Sequence, residues 1–288
     1  MKKGIVLFIV CLLFLCCSCK SKGQHRIEVI VERNQAGNAS CLDFIDDNPR
    51  VSFNYSVKDK AAEPEKRVSF LGQTLQGHYN KSYKIVDSMI DFYQTGEKEG
   101  GLEFSVDRKT GTVCNYWNGE HANDETPVTD NVKTLDECET IARSIMKETT
   151  GLDIDALVSA SEISGSYGNP WYHYCFEVTV GNILCCEIDM TFYTNGELLA
   201  YSNYQEYNKA RHEVICKLSE EKAVRLADNK VAELLSQQNN SIETKRNDTI
   251  LYYSSPEGKG WLSISYECYE SGGASSDRLT ILIPIELL

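Results

Sequence analysis

The sequence predicts an α+β fold of tandem units, each with one helix packed on a three- to four-stranded antiparallel sheet. Three observations lead there. Short runs of alternating apolar residues recur from residue 68 onward. Two amphipathic helices with their own start signals interrupt these runs. The order of helix then strands occurs twice, with starts at Thr134 and Ser219. Alternation at period two marks half-buried strands, and apolar spacing of three and four marks a helix with one buried face.

Ile27, Val29 and Val31 alternate with other residues, as do Val51, Phe53 and Tyr55, so each set reads as a short strand. Asn34 to Asn38 reads as a turn between them, and the charged stretch from Lys58 to Lys66, with Pro64, as a linker. Val68–Leu71, Tyr83–Val86 and Ile90–Tyr93 are strand candidates. Leu102–Asp107 and Thr112–Trp117, separated by Arg108-Lys109-Thr110-Gly111, form a hairpin. The polar stretch from Gly119 to Asn131 is a loop.

Thr134 then caps a helix, and Glu137 completes a capping box. Leu135, Cys138, Ile141, Ala142, Ile145 and Met146 share one face, and Gly151 ends the helix. Tyr172, Tyr174, Phe176, Val178 and Val180 alternate, as do Leu184, Cys186, Ile188, Met190 and Phe192. With Glu197–Tyr201 they make a meander turning at Gly181-Asn182 and Thr194-Asn195-Gly196. Ser219 caps a second helix, with Glu220 and Glu221 in its first turn and a stripe from Ala223 to Leu235. Strands follow at Thr249–Tyr253, Leu262–Cys268 and Leu279–Ile285, with turns at 255–258 and 271–273. Pro284 places the last strand at a sheet edge, because proline donates nothing to a ladder. The organisation expected is a leader at 1–18, a tether with N-terminal strands at 19–66, a strand-rich unit at 67–130, and two helix-plus-sheet units at 131–207 and 208–288.

The leader has a basic start, Lys2-Lys3, and eleven apolar residues from Ile5 to Leu15. Eleven are too few to span a bilayer, which takes about 20. The pattern is that of a secretory signal peptide. Its boundary, Cys16-Cys17-Ser18-Cys19, resembles a bacterial lipobox, with Cys19 the lipidated residue and Cys17 the rival acceptor. Lys20 follows Cys19 where some lipoproteins carry Asp. By that resemblance the expected address is the outer membrane, facing the periplasm.

The formal net charge is −13, and it falls to −15 when residues 1–18 and their two lysines are removed. That balance excludes non-specific nucleic-acid binding, which depends on clustered Lys and Arg. Eight cysteines lie beyond Cys19, with no C-x-x-C among them, so a zinc ribbon or thioredoxin-type site is unsupported. In strand-like runs such cysteines behave as small buried hydrophobes.

The chemistry-bearing residues are few. His173 and Cys175 share a strand face and could pair as thiolate and imidazole. Glu187 and Asp189 share another and could act as paired carboxylates or a weak cation site. A solvated sheet face accounts for both more simply. Tyr172 and Tyr174 alternate beside Trp171 and are the candidate binding face for peptide or glycan, although tyrosine also favours strands intrinsically. No cofactor motif is present.

Ser219-Glu220-Glu221-Lys222-Ala223 with Ala227, and the turn Asp107-Arg108-Lys109-Thr110-Gly111, matched in part at Thr194-Asn195-Gly196, resemble the PepSY domain of peptidase propeptides and related envelope proteins. The resemblance spans about residues 68–288. It implies a non-catalytic partner of peptidases or other envelope proteins, and no catalytic residue. The expectation is therefore a lipid-anchored envelope protein that binds peptide or protein and is not an enzyme. Its alternatives are a hydrolase using His173, Cys175, Glu187 and Asp189, and a structural surface component.

Overall fold

A computed structural model of the chain describes residues 27–32, 41–42, 45, 55–57, 59–85, 88–95, 101–119, 131–165, 169–203, 207–236, 242–254, 260–270 and 277–288. The leader, Cys19 and the turns expected at 34–38, 255–258 and 271–273 lie outside them. The strands are β1 (Glu28–Glu32), β2 (Tyr55–Val57), β3 (Glu65–Phe70), β4 (Gln73–Ile85), β5 (Ser88–Gln94), β6 (Leu102–Asp107), β7 (Val113–Asn118), β8 (Leu157–Ser164), β9 (Pro170–Val180), β10 (Ile183–Tyr193) and β11 (Leu198–Ser202). The rest are β12 (Ile242–Arg246), β13 (Ile250–Ser254), β14 (Gly260–Glu270) and β15 (Asp277–Pro284). The described helices are α1 (Leu135–Thr150), α2 (Lys209–Ile215) and α3 (Glu220–Leu235).

These fifteen strands form one hydrogen-bonded sheet. That corrects the expected tandem helix-on-sheet units. Strands assigned to separate units are joined by β7 to β11 and by β10 to β13. One core cluster runs through both halves, from Val31 to Ile283. All pairings among the described strands are antiparallel except β10 with β13, which is parallel at Ile183↔Ile250 and Leu184↔Leu251.

Strand β10 makes this possible. β9 lines one side of it throughout. On its other side, β13 holds Ile183 and Leu184, while β11 holds Asp189 to Phe192. The register with β9 slips between Leu184 and Cys186. Cys185 is the extra residue of a bulge, which bends the strand. Cys185 and Cys186 are therefore both fully buried, where simple alternation expects only Cys186.

α1 begins and ends, and α3 begins, on the local chemistry read from the sequence, whereas α2, capped by Asn208, was not expected. Thr134 accepts from the Glu137 amide while the Glu137 carboxylate accepts from the Thr134 amide, and Gly151 closes α1 at φ 70°. Ser219 accepts from the Lys222 amide at the start of α3. α1 packs on β8, β9 and β10, and α3 on β14 and β15. α1 buries Cys138, Ala142, Ile145 and Met146, and α3 buries Ala223, Ala227 and Val231.

Two local expectations change. β15 is not at an edge, because β1 covers it from Arg278 to Leu282. Pro284 lies beyond that reach and faces only Trp261 of β14. The stretch expected to be a linker is tied down at Asp59. Its amide donates to the Tyr79 hydroxyl at 2.9 Å, and its carboxylate receives Arg108 Nη1 at 2.7 Å.

Arg108 is the hub of that clamp. Its Nε and Nη2 make a bidentate pair with Asp91 at 2.9 and 2.7 Å, and Nη2 reaches Ser82 Oγ at 3.2 Å. The Asp91 side chain is only 3% exposed. Loss of Arg108 would strand a buried carboxylate. Arg108→Ala should cost about 3 kcal/mol in urea unfolding. Arg108→Lys should recover only part of this, because an ammonium lacks the planar fork. A change below about 0.5 kcal/mol in the alanine variant would show that the clamp contributes nothing.

Candidate functional site

The two faces of β9 differ in kind. Tyr172, Tyr174, Phe176 and Val178 are buried on the side that meets α1. The hydroxyl of Tyr172 donates to the Lys133 carbonyl at 3.1 Å, and that of Tyr174 to the Leu135 carbonyl at 2.6 Å. The expected binding face at Tyr172 and Tyr174 is thus an interior surface. Both rings anchor the first turn of α1, and neither is open to a ligand.

The opposite face of β9 carries Trp171, His173, Cys175 and Glu177. Across from them on β10 stand Tyr193, Thr191, Asp189 and Glu187. On β8, Ile163, Ser161 and Ser159 oppose Trp171, His173 and Cys175. This face has an aromatic end and a polar end.

At the aromatic end, Trp117 and Trp171 meet edge to face at 6.5 Å, and Trp171 meets Tyr193 in the same way at 6.5 Å. They form a small second hydrophobic cluster with Leu199. Gly165 lies over the Trp171 indole so closely that a Cβ there would sit 2.2 Å from the ring. Only glycine lets the β8–β9 turn pass at that distance.

At the polar end the structure brings together the four residues of the hydrolase alternative. Cys175, Glu187 and Asp189 place ligand atoms within 4.8 Å of one another. His173 Nε2 lies 3.4 Å from Asp189 Oδ1. Cys175 and Asp189 are half-buried there, and Glu187 is exposed. Burial and the Asp189 and Glu187 carboxylates push the Cys175 thiol up to about 12. Burial, then Asp189 and Glu177, also hold the Glu187 carboxyl above its usual range. A nucleophilic cysteine needs the reverse, a positive environment that lowers its pKa.

A cavity of about 540 Å³ lies elsewhere, lined by Phe70, Leu102, Tyr116, Asn118 and Glu197 among others. Among the described residues Glu197 is the one carboxylate of its lining, and it accepts from Asn118 Nδ2 at 3.1 Å.

Strand β8 borders the open face. It pairs with β9 and with no other described strand. Its eight residues are largely exposed, with Val158 at 55% and Ile163 at 36%. It contains one charge, Glu162, and neither lysine nor proline. Natural edges usually carry such guards against further pairing. Sequence reasoning missed β8, because the bulge between Leu157 and Ser159 breaks its alternation. The aromatics expected on an open face, Tyr172 and Tyr174, form the buried row instead. A wholly apolar row at 172, 174, 176 and 178 is the row a helix covers, so Trp171 and His173 had to face outward.

No family model matches this sequence, and neither a curated protein nor a solved structure does.

The thiol environment is directly testable. Alkylation of Cys175 in metal-free buffer, followed by peptide mass spectrometry, should still accelerate about tenfold per pH unit at pH 10, as a thiol near 12 requires. A rate that levels off below pH 9 would contradict the carboxylate-dominated site.

Proposed function

We propose that the protein is a lipid-anchored, non-catalytic binding protein of the cell envelope that holds an extended segment of another envelope protein along β8. The unguarded β8 edge carries this reading. An extended chain added there gains main-chain hydrogen bonds to a preformed edge, and its alternate side chains fall on the face beside Ile163 and Trp171. The aromatic end offers rigid apolar contact, the usual source of hot-spot affinity.

The basic and apolar leader with Cys19 supports the anchor and an outer-membrane site facing the periplasm. The acidic balance of the chain disfavours nucleic acid as a partner. A peptidase is the partner class favoured by the PepSY-like segments at Asp107–Gly111 and Ser219–Ala227. The protonated Cys175 thiol weighs against the hydrolase alternative.

Val158→Lys with Ile163→Lys places two charges on the edge and should leave the fold intact. In-cell crosslinking followed by mass spectrometry should show capture of the partner reduced about tenfold, near 1.4 kcal/mol. Cys19→Ala should abolish capture by displacing the protein. Undiminished capture by the double-lysine variant would refute docking on β8.

A further inference from the structure

We propose that His173, Cys175, Glu187 and Asp189 form a binding site for a divalent transition metal of the zinc type on the open face of β9 and β10. The site is independent of the reading of β8 as a docking edge.

Register creates the cluster. His173 and Cys175 are two apart on β9, Glu187 and Asp189 two apart on β10, and Cys175 lies directly opposite Asp189. Cys175 and Asp189 thus form the centre of the cluster, with His173 one step beyond them on β9 and Glu187 one step beyond them at the other end on β10. β9 is paired on both sides, by β8 and β10, so its backbone holds the patch rigidly. Glu177 stands opposite Glu187 on this face, and the other neighbours are small. Ser159 and Ser161 flank it on β8, and Ser202 flanks it on β11, opposite Asp189. They leave the approach from solvent open.

The distances suit coordination. Metal bonds of about 2.0–2.3 Å in a tetrahedron set donors roughly 3.3–3.8 Å apart. The separation of 3.4 Å between His173 Nε2 and Asp189 Oδ1 already has that value. The donors of Cys175, Glu187 and Asp189 lie within 4.8 Å of one another, and His173 joins them through Asp189.

The donor set selects the metal. Calcium and magnesium take oxygen ligands in six or more positions, and a thiolate and an imidazole exclude them. Copper(I) and iron–sulfur centres need more sulfur than one cysteine supplies. One sulfur, one nitrogen and two carboxylates suit zinc. The local field agrees, since the strongest charges acting on Cys175 are the carboxylates of Asp189, Glu187 and Glu177. A bound dication would offset this concentration of negative charge.

The test is a titration of the metal-free full chain with Co²⁺, then Zn²⁺. The wild type should show a thiolate-to-cobalt charge-transfer band and the intense visible bands of four-coordinate cobalt, both removed by one equivalent of Zn²⁺. Cys175→Ser should lose the thiolate band, while Cys216→Ser, on a cysteine outside the patch, should keep it. His173→Gln and Asp189→Asn should weaken Zn²⁺ by about tenfold or more in competition with a chromophoric chelator. Circular dichroism should report each variant folded. A wild type without the thiolate band would overturn the proposal, as would a folded Cys175→Ser variant that retains it.

Discussion

The architecture depends on one strand meeting three neighbours. β10 keeps β9 along one side and divides its other side between β13 and β11. The bulge at Cys185 bends the strand between the stretch held by the parallel partner and the stretch held by the antiparallel one. Through that strand the part of the chain before α1 and the part after α3 share one sheet and one core.

The same strand fixes which surface is available for function. If β9 slipped by one residue against α1, His173, Cys175 and Glu177 would be buried. Tyr174, Phe176 and Val178 would then face water. Exposing each of those apolar side chains costs about 1.5–3 kcal/mol, and burying an unpaired carboxylate costs several more. The energetics therefore leave one arrangement. The apolar row lies under the helix, and the row with the tryptophan, histidine and thiol lies outside. The open face, its aromatic end and its ligand cluster follow from that choice, and β8 borders it because nothing else described pairs there.

Local features were legible in the sequence. The capping box at Thr134 and Glu137, the left-handed Gly151, the cap at Ser219 and the 102–117 hairpin all appear where their chemistry predicts. Each involves residues a few positions apart. Non-local pairing was not legible. No residue pattern announces that β13 joins β10, or that β1 returns across some 250 residues to cover β15. That return explains why Pro284 misled, for it lies just past the last residue β1 reaches. β8 was missed because a bulge interrupts its alternation, and β12 because a mostly exposed strand has little buried side to alternate. His173, Cys175, Glu187 and Asp189 were each visible as pairs on single strands. Their convergence depended on the β9–β10 register, which only the fold supplies.

Native-state hydrogen exchange under rising denaturant tests the central claim, that β10 unites the sheet into a single cooperative structure. Slow amides in β7, β10 and β14 should converge on one common opening free energy as denaturant increases. If β13 to β15 instead open together more than about 2 kcal/mol below β9 to β11, the two halves are separate cooperative units and the account of β10 is wrong.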